Sequence, residues 1–204
     1  FPPNYNRLKD SAEKLGIDQE GFVVVNAAIS KKGGVTIFPT GADQKVGVEN
    51  LSMSNCATGT EKKIEEHKCQ EVDGFTLETY VEKYVKSKGP IHVLSIDVEG
   101  YDFDVMIGGK TSVLDRVQYL EFEYNWMGSW AKQNLSDTLQ MLDEHSFTCY
   151  WAGDDALYRI SGCWQEYYNI NHWANVACVH RTQYQLAKNM EEIFLRTLSE
   201  DHKW

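Results

Sequence analysis

The chain has 204 residues and a formal net charge of −10, with 42% hydrophobic and 25% charged residues. This composition is ordinary for a globular protein, and the length suffices for one well-buried domain. The charge disfavours nucleic acid or an anionic membrane surface as the main partner, because a phosphate-binding face needs clustered basic residues. No apolar run approaches the roughly 18 residues of a membrane span. We predict one domain over 1–204, with a core at 1–182 and a C-terminal helix and tail at 183–204.

The first ninety residues show alternating helix and strand patterns. An amphipathic pattern predicts a helix that Gly16 ends. β-branched runs predict a buried strand and a second, half-buried strand, which together form a hairpin-like unit. The long polar stretch at 40–69 has no clear period and is typical of an excursion near a site or a loop. The predicted elements are a helix at 4–15, strands at 22–25 and 35–39, a short strand within 71–75, and a helix at 76–86.

The stretch 91–109 is central to the chain. A short apolar run, Ile91–Ile96, follows a Gly-Pro break and predicts a buried strand. Asp97 and Glu99 come directly after it, where open α/β sheets bind their ligands. Acidic residues also suit the start of a helix, so capping of the following helix is an equal alternative on the motif alone.

Helices and strands continue to alternate after this motif, which predicts an α/β layered fold. A strand over Val117–Tyr124 carries Glu121 and Glu123 on one face near its end, by the two-residue strand period. A helix is expected to begin at Ser129 or Asn134. The remaining predicted elements are a helix at 101–107, strands at 147–151 and 173–180, an aromatic loop at 152–172, and a helix at 183–198.

Five cysteines without CxxC spacing predict free or buried thiols rather than a zinc site or a disulfide framework. Two N-x-S sequons begin at Asn50 and Asn134. They would matter only in a secretory compartment, and chance alone could supply both. The cellular compartment stays open.

Four motifs follow one another along the chain: NAAIS after a strand, FTLETYVEKY, LSIDVEGYDFDVMIGG and YLEFEYN. In this order they resemble the FkbM family of S-adenosylmethionine-dependent methyltransferases. The resemblance covers roughly residues 1–180, although Ser95 stands where the family usually has lysine. It implies a class I, Rossmann-like sheet, mostly parallel with a C-terminal antiparallel hairpin.

The resemblance also implies two strands before Asn26 that carry the glycine-rich cofactor loop. No Gly-x-Gly turn precedes Asn26. We therefore expect the first two strands to be absent from this chain and to be supplied by an upstream segment or a partner chain. Without them, buried backbone groups of their neighbours would lack partners.

Methyl transfer to a hydroxyl needs a positioned acceptor and is helped by a general base. The resemblance makes Asp97 the first candidate, with Glu99, and Glu123 the candidate for acceptor orientation. His172 in the aromatic loop is a further possible base. A metal site built from the three carboxylates is a weaker alternative.

The resemblance places the cofactor, S-adenosylmethionine, against Asn26, Ala27 and Ala28, with Asp97 also near it. Aromatic residues predict an acceptor platform for a sugar or other polyhydroxyl molecule, with Trp126, Trp164 and Tyr167 as candidates. Packing beneath a long loop is the alternative, and the pattern favours the platform for Trp164 and Tyr167. The expected function is O-methylation of a glycan or small natural product. The alternative is a catalytically inactive methyltransferase-like binding or structural subunit of a larger assembly.

Overall fold

The computed structural model describes residues 2–39 and 69–201. Residue contacts divide the chain into two compact units, Phe1–Thr76 and Leu77–Trp204. Each unit contains its own mixed sheet. Most of the predicted stretch 40–69 and the sequon at Asn50 lie outside the described residues.

The described residues of the first unit form one α-helix and a three-stranded sheet. Helix α1 ends before Gly16, whose φ of 71° is the left-handed conformation typical of a helix stop, so this helix is confirmed. Strand β3 lies between β1, which is parallel to it, and β2, which is antiparallel. The elements are α1 (Pro2–Leu15), a 3₁₀ turn (Ile17–Glu20), β1 (Ala28–Ile29), β2 (Gly34–Pro39) and β3 (Cys69–Phe75).

Two predictions for this unit are wrong. Residues 22–25 form no strand, and the Val23 side chain is 64% exposed. A β-branched run becomes a buried strand only where another strand pairs with it, and none of the described strands pairs with these residues. The predicted hairpin also fails, because β1 and β2 each pair with β3 instead of with each other.

The second unit is a five-stranded sheet in the order β4-β5-β8-β6-β7. β4 and β5 are parallel, and the other three pairs are antiparallel. The α/β class is confirmed, but the described sheets are mixed rather than mostly parallel. The strands are β4 (Ile91–Ile96), β5 (Val117–Tyr124), β6 (Phe147–Ala152), β7 (Leu157–Arg159) and β8 (Ala174–His180).

The described residues of this unit form four α-helices. Asn134 caps α4 by accepting a hydrogen bond from the Ser136 backbone N–H at 3.1 Å, as the sequence predicts for one of its two candidate caps. Within the described residues, no helix is both long and apolar enough to cross a membrane. The helices are α2 (Leu77–Tyr84), α3 (Asp102–Ile107), α4 (Leu135–Glu144) and α5 (Tyr184–Asp201), with 3₁₀ turns at 114–116, 130–132 and 166–168.

The core of this unit is formed by the central strands and α4. Leu120, Phe147 and Leu142 have no exposed surface. β4 was predicted to be buried, but Val93 is 62% exposed, because β4 is at the edge of the described sheet. Ile96 is its one buried residue. The strand prediction is correct and its predicted burial is wrong.

A disulfide joins Cys149 on β6 to Cys178 on β8. The two residues are directly opposite each other in the antiparallel register, and both are fully buried. The prediction of free thiols is therefore wrong for this pair. Cys163 is a free, exposed cysteine.

Candidate active site

Two acidic residues lie at the carboxyl ends of the parallel strands β4 and β5. The register pairs Ser95 with Glu121 and Ile96 with Phe122. Continuing it by one residue aligns Asp97 with Glu123, since paired strands advance together. Asp97 is exposed and Glu123 is half-buried. The parallel pairing thus brings together the two predicted carboxylates from different strands.

The loops that follow these strands pack closely against each other at two glycines. Gly100 has a φ of 90° and Gly128 a φ of 56°. A β-carbon on Gly100 would lie 2.9 Å from the Met127 backbone, and one on Gly128 would lie 2.5 Å from the Gly100 carbonyl oxygen. The Gly100 carbonyl also accepts a 2.8 Å hydrogen bond from the Ser129 backbone N–H. These contacts fix the loop that carries Asp97 relative to the end of β5.

Three further side chains hold Glu123. The Asn125 side chain donates from Nδ2 to Glu123 Oε2 at 2.9 Å and is itself fully buried. The Trp130 indole Nε1 donates to the Glu123 carbonyl oxygen at 2.8 Å. Asp102 Oδ1 accepts from the Glu123 backbone N–H at 3.3 Å. Backbone and carboxylate of Glu123 are therefore both positioned by neighbouring side chains.

Trp130 is the centre of an aromatic cluster beneath these loops. Its ring lies 5.8 Å from Phe103, 5.8 Å from Phe122 and 4.9 Å from Tyr124, between ring centroids. The ring is almost completely buried. Its packing fixes the direction from which the indole N–H reaches Glu123.

Burial raises the pKa of two carboxyl groups of the site, Asp102 and Glu123. Asp102 has no exposed surface, and burial raises its pKa from 3.8 to about 7, against opposing backbone hydrogen bonds and with added repulsion from Glu123 and Asp97. Burial also raises the pKa of Glu123; the Asn125 hydrogen bond lowers it, and the charges of Asp97 and Glu99 raise it further. Asp102 Oδ2 has no hydrogen-bond partner among the described residues. The four carboxylates thus form one electrostatic group.

Glu99 has an unusual backbone conformation for a non-glycine residue. Its φ is 53°, in the left-handed region. This conformation costs on the order of 1 kcal/mol for a residue with a β-carbon. Glu99 therefore stays in place because the packed loop around it determines its backbone.

Aromatic side chains flank the end of β5. The Trp126 ring lies 4.1 Å from Trp173 and 5.7 Å from His172, between ring centroids, and both pairs are edge-on. Tyr124 pairs with Ala174 in the antiparallel sheet. This pairing brings Trp126, which follows Tyr124, close to Trp173, which precedes Ala174. All three rings are partly exposed, so the structure joins Trp126 and His172, which were predicted separately.

Trp164 and Tyr167 belong to another aromatic group, centred on Tyr168. Trp164 lies 5.9 Å and Tyr167 4.6 Å from the Tyr168 ring. Trp164 Nε1 donates to Glu166 at 3.1 Å, and the Tyr167 side chain is 73% exposed. Trp164 also lines a cavity of about 270 Å³ beside α4. In the described part of the chain, none of these three rings contacts Trp126.

Two of the remaining candidates are the predicted cofactor-binding residues Asn26 and Ala28. Asn26 is exposed outside a strand, and Ala28 begins β1. Both belong to the first unit, so their part in a cofactor site stays a prediction. In the described part of the chain, no group of three or more metal-binding side chains could hold a metal ion. The metal alternative gains no support.

Sequence reasoning missed Asp102, Asn125 and Trp130 as parts of the site. Asp102 precedes Val105 and Met106 by three and four residues, which puts a carboxylate on the buried face of a short helix. That spacing was a readable signal. Nothing local indicates that Trp130 bonds to Glu123, because that contact depends on the fold of the loop.

A family model described as Methyltransferase FkbM domain matches residues 1–149. The match covers most of the chain and includes Asp97, Asp102, Glu123 and Asn125. The chain therefore belongs to the FkbM methyltransferase family. No curated protein and no solved structure matched the chain.

Proposed function

We propose that this protein is an S-adenosylmethionine-dependent O-methyltransferase that acts on a hydroxyl group of a glycan or small natural product. The observation that carries the proposal is the group of carboxylates at the ends of β4 and β5 in a chain of this family. A Rossmann-like class I fold is part of the same proposal.

The carboxylate group fits a cationic cofactor. Asp97, Glu99 and Glu123 concentrate negative charge, and buried Asp102 Oδ2 lacks a hydrogen-bond partner among the described residues. The cofactor carries a positive sulfonium and an ammonium group, which this charge would attract. Asp97 would contact it, and the sequence resemblance adds Asn26, Ala27 and Ala28 of the first unit as further cofactor candidates. When bound, it supplies an electrophilic methyl group.

The chain's own carboxylates would prepare the acceptor. Exposed Asp97 would take the proton of the acceptor hydroxyl at a carboxylate oxygen, because an alcohol is a poor nucleophile until that proton leaves. Glu123, held by Asn125, would accept a hydrogen bond from a neighbouring hydroxyl and orient the acceptor. Glu99 would add negative charge beside them, and His172 is a second base candidate.

Aromatic faces would bind the acceptor. Trp126 lies against His172 and Trp173 just after the end of β5, and partly exposed aromatic rings offer an apolar face to the C–H groups of a sugar. Trp164 and Tyr167 would extend the surface for a larger acceptor. This arrangement supports a polyhydroxyl acceptor over a small apolar one.

Calorimetric titration of the full-length protein with S-adenosylhomocysteine tests cofactor binding. We expect saturable binding at one site. A full-length protein that is folded and binds none would contradict the proposal and favour the alternative, an inactive methyltransferase-like binding or structural subunit.

The Asp97→Asn variant tests the catalytic assignment by a radiolabelled methyl-transfer assay. We expect the turnover number to fall about 10²–10⁴-fold, the usual contribution of a general base. Asp155→Asn is the matched control, because it removes the same charge from an exposed loop after β6. Undiminished transfer by Asp97→Asn would reject Asp97 as the base and leave the family assignment intact.

A further inference from the structure

The sequon at Asn134-Leu135-Ser136 is presented at the surface of the second unit. Asn134 is exposed and precedes the first turn of α4, while Leu135 is fully buried and anchors that turn. The Asn134 backbone is extended, with φ −88° and ψ 136°. An attached glycan at this position would point away from the core.

The two ends of the Asn134 amide have different roles. Oδ1 accepts the capping hydrogen bond from the Ser136 backbone N–H at 3.1 Å. None of the described residues accepts a hydrogen bond from Nδ2. A sugar on Nδ2 would therefore leave the cap intact, since the cap uses only the oxygen.

The Cys149–Cys178 disulfide is an independent observation about where the chain folds. Both residues are fully buried between β6 and β8, so the bond must form before or during closure of the core. Structural disulfides form in oxidising compartments such as the lumen of the endoplasmic reticulum and are rare in the cytosol. The same lumen contains the machinery that modifies N-x-S sequons.

From these two observations we propose that Asn134 carries an N-linked glycan, added as the chain enters an oxidising secretory compartment. The donor would be a lipid pyrophosphate-linked oligosaccharide. A bond forms between Asn134 Nδ2 and C1 of the first sugar, and the bond from C1 to the pyrophosphate oxygen breaks. The Nδ2 proton passes to a base of the transferase, and the lipid pyrophosphate leaves with the bonding electrons. This modification is independent of methyl transfer.

Peptide mapping of the full-length protein from the cells that make it tests the proposal. The protein is digested without reduction and treated with peptide N-glycosidase in heavy-oxygen water, which converts a glycosylated asparagine to labelled aspartate. We expect labelled aspartate at position 134 together with a disulfide-linked peptide pair containing Cys149 and Cys178. Unlabelled Asn134 in all of the protein would overturn the proposal, whatever the state of the cysteines.

Ser136→Ala separates the glycan from the helix cap. It destroys the sequon but keeps Asn134 and the backbone N–H that Asn134 binds. Ser136→Thr is the matched control, because it keeps a hydroxyl and hence the sequon. In a Ser52→Ala background, which removes the sequon at Asn50, we expect glycosidase to shift the gel mobility of Ser136→Thr more than that of Ser136→Ala. Equal shifts in the two variants, or no shift in Ser136→Thr, would contradict modification at Asn134.

Discussion

At the residue scale, Glu123 depends on a balance between one donor and its acidic neighbours. The Asn125 amide stabilises the charged carboxylate, whereas burial and the charges of Asp97 and Glu99 favour the protonated form. The ionisation state of Glu123 is therefore set by side chains that can be changed one at a time.

Two substitutions should move the Glu123 pKa in opposite directions. Asn125→Ala removes the hydrogen bond to the carboxylate and should raise the pKa, while Asp97→Asn removes a repelling charge and should lower it. Carbon-13 NMR titration of the Glu123 carboxyl group measures both. Shifts of the same sign would contradict the opposing effects of Asn125 and Asp97 on the Glu123 pKa.

The strained backbone of Glu99 predicts that one substitution there raises stability and lowers activity. Glu99→Gly relieves the positive φ and should raise the free energy of unfolding by about 0.5–1 kcal/mol. It also removes a site carboxylate, so methyl transfer should fall. Denaturant unfolding and the transfer assay measure the two effects.

Ser146→Gly is the matched control for Glu99→Gly. Ser146 also has a positive φ, of 66°, but it follows α4 outside the carboxylate group. We expect similar stabilisation with unchanged transfer. Full activity in Glu99→Gly would mean that the strain at Glu99 has no functional role.

At the element scale, the two loops after β4 and β5 act as one rigid piece. Their backbones approach so closely at Gly100 and Gly128 that neither position has room for a side chain. The positions of Asp97 and Glu123 thus depend on contacts between loops as well as on the strands.

Gly100→Ala should separate these loops. The added methyl group meets the Met127 backbone and Asn125 Oδ1, and the positive φ adds strain, so we expect a loss of about 2–4 kcal/mol in unfolding free energy. Gly162→Ala is the control, because Gly162 has a φ of 97° with open space around it. A loss no larger than the control's would show that the loops adjust freely.

Elements with local signals could be predicted from the sequence. Three features could be predicted because each depends on neighbouring residues: the helix stop at Gly16, the cap at Asn134 and the strand Val117–Tyr124. The carboxylate pair was readable for the same reason. The exposure of Val93 was not, because burial depends on what lies beside the strand.

Contacts between residues that are far apart in the chain could not be predicted from the sequence. Cys149 and Cys178 are 29 residues apart, and only the register of β6 against β8 makes them partners. The Trp130 bond to Glu123 likewise requires the loop after β5 to fold back. Spacing alone cannot distinguish these pairs from many others.

At the scale of the whole molecule, Asp102 links stability to pH. Its folded pKa of about 7 lies above its ordinary value of 3.8, so the folded chain binds this proton more tightly than the unfolded chain. Stability from this group is greatest below about pH 4 and is lost as the pH rises towards 7. Alkaline conditions therefore leave a charged carboxylate in the core.

Asp102→Asn should remove this pH dependence. The amide oxygen can still accept from the Glu123 backbone, and no charge is buried. We expect a melting temperature on the order of 3–5 °C above wild type at pH 8 and little difference near pH 4. Thermal unfolding across this range, with Asp155→Asn as control, measures it. A constant difference at all pH values would indicate an effect unrelated to ionisation.

The position of β8 sets an order of events during synthesis. β8 lies between β5 and β6, although both are made before it. Until residues 174–180 leave the ribosome, β5 and β6 cannot join into one sheet, and their facing edges remain open. Late, non-local pairing of this kind slows folding and exposes nascent strands to aggregation. We expect ribosome-bound chains that end before residue 174 to need chaperone protection that longer chains no longer require.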